Sequence, residues 1–194
     1  MDLIFATNNT HKAEEVRALL RNTTVSLKTL AEAGLDFDPP ETGNTFVHNA
    51  LQKAHFVLEK TGLPCIADDS GIEVDALDGE PGVFSKRFSG EGDAANNALL
   101  LHKLQGEADR GAQFRCVVAI VGLGDDHTLE GICRGQIGHA LKGDGGFGYD
   151  PLFLPDERPG QSMAELEIDD KNQISHRGRA FSQLPALLQK LGAK

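Results

Sequence analysis

Two long β-prone runs, Phe114–Leu123 and Thr128–Ala140, flank the four residues Gly124-Asp125-Asp126-His127. A connection that short joins antiparallel strands, because a parallel pair needs a crossover of about a dozen residues or more. The pair therefore interrupts the strand–helix alternation that the rest of the chain shows. Leu3–Ala6 is a short apolar run. A helix follows from about His11, with Ala13, Val16, Leu19 and Leu20 at helical spacing and Glu14 and Glu15 in its first turn, where the dipole favours acids. Val25, Leu27 and Thr29 alternate as a strand. A second helix, from about Thr45 to Lys60, carries Phe46, Ala50, Ala54, Val57 and Leu58 on one face. Pro64 opens the short strand Cys65–Ala67, with Ile72 and Val74 as its hairpin return. Residues 78–93 read as a loop, Ala94–Leu104 as a helix, and Ala180–Leu191 as a closing amphipathic helix after an irregular polar stretch. The class is α/β, with a mixed sheet and helices on its faces.

Length and charge bound the function. The 194 residues suit one domain, or two small lobes sharing a core. Twenty-nine acidic against 19 basic residues give a net charge of −10, which disfavours a nucleic-acid backbone as partner. The same excess disfavours a small polyanion unless a bound cation reverses it. Cys65, Cys116 and Cys133 form no CxxC pair, so they suggest small buried hydrophobes, not a zinc site or disulfide framework. The N-terminus lacks a basic signal region. The longest apolar stretch, Cys116–Leu123, falls far short of the roughly 20 residues that span a bilayer. A soluble cytoplasmic chain without membrane or nucleic-acid partners is expected.

Four segments carry the polar chemistry, each beside an apolar run that can present side chains rigidly. Thr7-Asn8-Asn9-Thr10-His11-Lys12 leads from strand into helix. Free N–H groups at a helix N-terminus, hydroxyl and amide donors and one ammonium suit a phosphate. Ordinary turn chemistry with an Asn9 or Thr10 N-cap accounts for the same residues, and the P-loop pattern is absent. Asp68-Asp69-Ser70-Gly71 places two carboxylates side by side, pointing to opposite faces of a strand. Mg²⁺ is usually held by one or two carboxylates plus substrate phosphates, although a polar turn explains these residues equally. Glu41-Thr42-Gly43 precedes a helix that carries Thr45, Asn49 and Lys53 on one face. Glu41 becomes a candidate if it faces Asp68 or Asp69. Finally, Gly145-Gly146-Phe147-Gly148-Tyr149-Asp150-Pro151 lets a flat ligand approach the backbone and stack on a ring, or forms a packed bulged loop. Lys171, His176, Arg177 and Arg179 concentrate positive charge downstream. Carboxylates for Mg²⁺, phosphate-grade cations and a stacking aromatic together describe a nucleoside polyphosphate site.

In order along the chain, these segments resemble the inosine triphosphate pyrophosphatase family. The likeness rests on Thr7-Asn8-Asn9 through Lys12, Glu41-Thr42-Gly43 through Phe46, Asn49-Ala50 with Lys53-Ala54, and Ile66–Gly71. It continues through Gly82-Val83-Phe84-Ser85 to Arg87, Gly145–Pro151, Ala164-Glu165-Leu166 and Ser175–Gly178. The resemblance implies an elongated mixed sheet with two lobes flanking a central cleft, residues 1–194 as one domain, and a homodimer. It implies Mg²⁺-dependent hydrolysis of noncanonical purine nucleoside triphosphates (ITP, dITP, XTP) to the monophosphate and pyrophosphate. Thr7, Asn8, Asn9, Thr10, His11 and Lys12 would bind the triphosphate, and Lys53 would stabilise charge on the leaving group. Glu41, Asp68 and Asp69 would hold the metal, with Asp69 also the general base and Ser70 a substrate contact. Phe147, Gly148, Tyr149 and Asp150 would line the base and sugar pocket, completed by Lys171, His176 and Arg177. Arg177, a donor-only group, is expected to read the carbonyl at position 6 of the base. Lys12, Lys53, Lys171 and Arg177 are expected to make the cleft locally cationic. Lys86, Phe84 and Ser162-Met163 depart from the family's usual small residue, tyrosine and threonine. A pyrophosphatase for modified pyrimidine triphosphates and a non-catalytic nucleotide-binding module are the competing functions.

Overall fold

The computed structural model describes residues 2–192. Its strands are β1 (Asp2–Phe5), β2 (Ser26–Thr29), β3 (Cys65–Val74), β4 (Gly111–Val121), β5 (His127–Ile137) and β6 (Phe153–Pro155). The helices are α1 (Thr10–Leu20), α2 (Phe46–Thr61), α3 (Asp93–Lys103), α4 (Ile168–Ile174), α5 (His176–Phe181) and α6 (Leu184–Lys190). One mixed sheet runs in the order β2-β1-β3-β4-β5-β6. β1 pairs in parallel with β2, Leu3 opposite Leu27, and with β3, Ile4 opposite Cys65; β5 and β6 are antiparallel. Residues 122–126 join the neighbours β4 and β5, too few for a parallel crossover. The α/β class and the long hairpin are thus as the sequence reads.

The chain divides into two units. The first comprises the chain up to Asp69, Cys116–Gly131 and the chain from Arg177; the second comprises Ser70–Arg115 and Ile132–His176. In the first, Leu3 and Phe5 pack with Val16 and Leu20 of α1, Ile66, Val118, Ile120, and Phe181 and Leu184 from the last two helices. The rings of Phe5 and Phe181 meet edge-on, 5.7 Å between centroids. In the second, Ile72, Val74, Leu100, Phe114, Ile137, Tyr149 and Phe153 share a core. From Cys116 to Val121 every residue of β4 is buried, as a strand covered on both faces requires. The three cysteines are buried, and none is in a disulfide. Burial pushes the thiols of Cys65 and Cys116 up to about 12, so both are inert. Among the described residues no helix is long and apolar enough to cross a membrane.

Three local expectations change. β3 does not stop at Ala67 but continues through Asp68-Asp69-Ser70-Gly71 to Val74, so no turn and no hairpin return exists there. Helix α1 starts one residue early, at Thr10, which moves Glu14 and Glu15 out of its first turn. The polar stretch after β6 contains α4, and the closing helix is two helices beginning at His176. Pro185 explains the break, because its ring would clash with the Phe181 carbonyl one turn earlier and it has no N–H to give.

Candidate active site

Helix α2 positions the first part of the site. Thr45 caps it, its hydroxyl accepting the His48 N–H at 3.2 Å, and Gly62 closes it in a left-handed conformation. Its buried stripe is Phe46, Asn49, Ala50, Lys53, Ala54 and Val57. Two members of that stripe, Asn49 and Lys53, are polar, and both reach β3. Asn49 Nδ2 donates to Asp69 Oδ2 at 3.0 Å, while its Oδ1 accepts the Gly43 N–H at 2.7 Å. Lys53 Nζ lies 2.5 Å from Glu41 Oε1, 2.6 Å from the Asp68 carbonyl and 3.6 Å from Asp69 Oδ1. Glu41 and Asp69, far apart in sequence, therefore converge on one ammonium. Thr42 and Gln52 exchange two hydrogen bonds, 2.9 and 2.8 Å, which pin the loop carrying Glu41.

Alternation along β3 turns Asp68 to the other face. There its Oδ2 meets Lys12 Nζ at 2.9 Å and Arg177 Nη2 at 3.4 Å. Arg177 Nη1 also binds Glu15 Oε2 at 2.5 Å. Arg177, expected to read a base, is buried and committed to two carboxylates. Glu15 is the residue the sequence reading missed. Its only signal is position, one turn before Leu19 at the edge of the apolar stripe of α1. Around Thr7–Lys12, the Thr7 hydroxyl accepts the Asn9 N–H and Asn9 Oδ1 caps α1 through the Lys12 N–H. Asn8 Nδ2 donates to Asp38 Oδ1 at 2.8 Å, and Thr10 and His11 are exposed. Thr7–Thr10 also border a cavity of about 290 Å³ completed by Arg17 and Glu32, not by Glu41 or Asp69.

The charges in this network are paired and net negative, not cationic. Lys12, Lys53 and Arg177 face Glu15, Glu41, Asp68 and Asp69, three cations against four carboxylates. Buried charges persist only with partners, so the free positive charge expected here is absent from the described network. Burial alone would raise Asp68, but Lys12 and Arg177 hold its carboxyl well below the usual range. Burial would lower Lys53, yet Asp69, Asp68 and Glu41 hold it above its ordinary value. Asp69 goes the other way: burial, with Glu41 nearby, raises it despite Lys53.

The second unit holds Phe147, Gly148, Tyr149, Asp150, Lys171 and His176, with Ser70 in β3 at its boundary. Asp150 Oδ2 accepts the Phe147 N–H at 2.9 Å and Lys171 Nζ at 2.6 Å, and that ammonium sits 5.2 Å from the centre of the Phe147 ring. Phe147 thus has its backbone and its face fixed by one buried ion pair. Tyr149 is buried, its hydroxyl donating to the Ser85 carbonyl at 2.8 Å. Its ring belongs to the core, which leaves Phe147 as the stacking candidate. His176 stacks on Phe114, 4.7 Å between centroids and 15° from parallel. A Cβ on Gly146 (φ +69°) would run into the Asp150 carboxylate, whereas one on Gly148 (φ +61°) meets open space. Gly146→Ala is therefore expected to lose about 3 kcal/mol from strain plus overpacking, and Gly148→Ala only about 1. Urea unfolding of the two variants checks the difference.

Fold and site together define a mixed α/β protein whose two buried ion-pair networks offer oxygen ligands and a stacking ring. The Ham1 family profile matches residues 3–187, and the chain belongs to that family. A dITP/XTP pyrophosphatase of Desulforamulus reducens is 48% identical over 98% of this chain and 97% of its own length. One from Chromobacterium violaceum is also 48% identical, over 97% and 98%. Among solved structures, the Ham1 protein of Staphylococcus aureus superposes with a TM-score of 0.86 at 38% identity, covering 98% of this chain and 99% of that one.

Proposed function

We propose that this chain is a homodimeric pyrophosphatase that hydrolyses noncanonical purine nucleoside triphosphates to the monophosphate and pyrophosphate with Mg²⁺. The observation that carries the reading is the convergence of Glu41 and Asp69 on one cationic position, held by Asn49 and Lys53. Two hard carboxylates there fit Mg²⁺, which takes its other ligands from substrate phosphates and water. Among the described residues no three His, Cys, Asp or Glu side chains form a cage of their own. The network's net negative charge gives the cation a second role, since three paired cations cannot attract a triphosphate alone. When bound, the divalent ion neutralises polyphosphate charge.

The chain's own residues do the rest. Asp69 Oδ2 accepts from Asn49 and Oδ1 lies 3.6 Å from Lys53 Nζ, which leaves Oδ1 to serve as the proton acceptor. The water oxygen bonds to the α-phosphorus, its proton passes to Asp69 Oδ1, and the electron pair of the broken bond between the α-phosphorus and the bridging oxygen leaves with pyrophosphate. Lys12 and Lys53 steady the charge that develops on the leaving group. Thr7–Lys12 bind the phosphates, Phe147 stacks on the base, and Gly148, Asp150, Lys171, His176 and Ser70 shape its surroundings. Asp68 anchors Lys12 and Arg177 from the other face of β3.

A nucleotide panel at fixed Mg²⁺ tests this. ITP and XTP are expected to release pyrophosphate, with ATP and GTP at least about a hundredfold slower. Orthophosphate as first product overturns the reaction. Preference for modified pyrimidine triphosphates, or binding without product, selects one of the competing functions.

A further inference from the structure

Helix α3 takes no part in the chemistry above, yet its first turns grip the backbone of the proposed base loop. Asp93 Oδ2 accepts the Gly148 N–H at 2.8 Å, and Asn97 Nδ2 donates to the Gly148 carbonyl at 2.8 Å. The same Nδ2 donates to the Asp93 carbonyl at 2.9 Å, tying the two gripping residues together. Gly148 is in a left-handed conformation outside any helix or strand, so these two side chains hold both polar groups of a residue that regular structure leaves open. The adjacent Phe147 is already fixed by Asp150 and Lys171.

Asn97 does this at a cost to the fold. Its Oδ1 is buried without a partner among the described residues, although the residue is only 5% exposed. A buried acceptor left unpaired is destabilising, and such groups in native proteins call for an explanation. Its neighbour Asn96 is the contrast. Asn96 Oδ1 accepts from the N–H and hydroxyl of Ser89, and its Nδ2 donates to the Ser85 and Lys86 carbonyls. That asparagine is fully satisfied and holds one loop to α3. A side chain kept only for packing at position 97 would be apolar; an amide serves there because it can reach Gly148.

We infer that Asp93 and Asn97 are positioning residues that set the Phe147–Gly148 loop for the base, and so control nucleotide affinity without touching the phosphate chemistry. This rests on the reading that the Phe147 segment holds the base. Asn97→Leu, which keeps the branched four-atom side chain but none of its polar atoms, removes the grip and the orphaned oxygen together. It is expected to melt no lower than the parent, while KM for ITP rises about tenfold and kcat changes little. Inhibition by inosine monophosphate weakens in step, and inhibition by inorganic tripolyphosphate, which has no base, stays as it was. Asp93→Ala moves the same way, and Asp93→Asn, which keeps an acceptor for the Gly148 N–H, restores the parental KM. Asn96→Leu, by contrast, lowers the melting temperature. If Asn97→Leu and Asp93→Ala leave KM unchanged while Phe147→Ala raises it, the inference is overturned and the base reading stands. If Phe147→Ala leaves KM unchanged, the base reading fails first. A lower melting temperature with weakened tripolyphosphate inhibition in Asn97→Leu also overturns the inference, by showing a general structural role.

Discussion

Asp69→Asn is expected to lose about 10²–10⁴-fold in turnover and to fold at least as stably as the parent at neutral pH. The two effects have one origin. Asp69 is 5% exposed, and burial raises its carboxyl above the ordinary value of 3.8 despite the nearby Lys53. The folded state therefore keeps a proton that the unfolded chain has released, from about pH 4 upward to the folded value. Stability from this group is present below that window and is lost as pH rises through it. At neutral pH the charged carboxylate is a cost that the amide does not carry. Asn still accepts from Asn49, and Lys53 keeps Glu41 and the Asp68 carbonyl. The variant's excess in melting temperature shrinks to nothing below about pH 4. Pyrophosphate release and thermal melts across pH 4 to 8 measure both. Full turnover rejects Asp69 as the base, and a melting temperature well below the parent's rejects the burial argument.

The elements legible in the sequence are those whose local signals agree with their surroundings. The hairpin of β4 and β5 follows from two long β-prone runs and a turn, and α2 from an apolar stripe with a Thr cap and a Gly stop. β3 fails locally. Asp68-Asp69-Ser70-Gly71 has turn composition, and only cations from three distant segments make it a strand. Lys12 and Arg177 serve Asp68, while Lys53 serves Asp69. Tertiary partners override propensity there, and no window around residue 68 contains them. The same holds for Glu15, whose meaning depends on an arginine 162 positions later. Residue types and their spacing put Asn49 and Lys53 on one helix face and made Glu41 a candidate if it faced Asp68 or Asp69, and Glu41 does meet Asp69 across Lys53. They did not reveal that every candidate cation arrives with a carboxylate, because burial imposes that pairing.

Arg177→Met is expected to be the most destabilising change in this network. Glu15 and Asp68 are 5% and 2% exposed, so removing the guanidinium strands buried negative charge. Breaking such a pair from one side costs about 3–5 kcal/mol, or about 10 °C in melting temperature for a chain of this size. The acid limb should shift as well. Lys12 and Arg177 hold Asp68 well below its ordinary value of 3.8, so its contribution is present above that pH and is lost as pH falls. Without Arg177 the carboxyl moves back up, and acid unfolding begins at a higher pH. Pairing Arg177→Met with Glu15→Leu removes both ends of the buried bridge. That double variant should recover most of the melting temperature, because apolar groups replace a buried pair at little net cost. Turnover should not return with it. Asp68 would then have Lys12 without Arg177, and that carboxylate sets the position of Lys12, the proposed phosphate contact. Recovery of stability and activity together would make Arg177 structural alone; stability without activity ties the buried bridge to Lys12 and the phosphate end of the site.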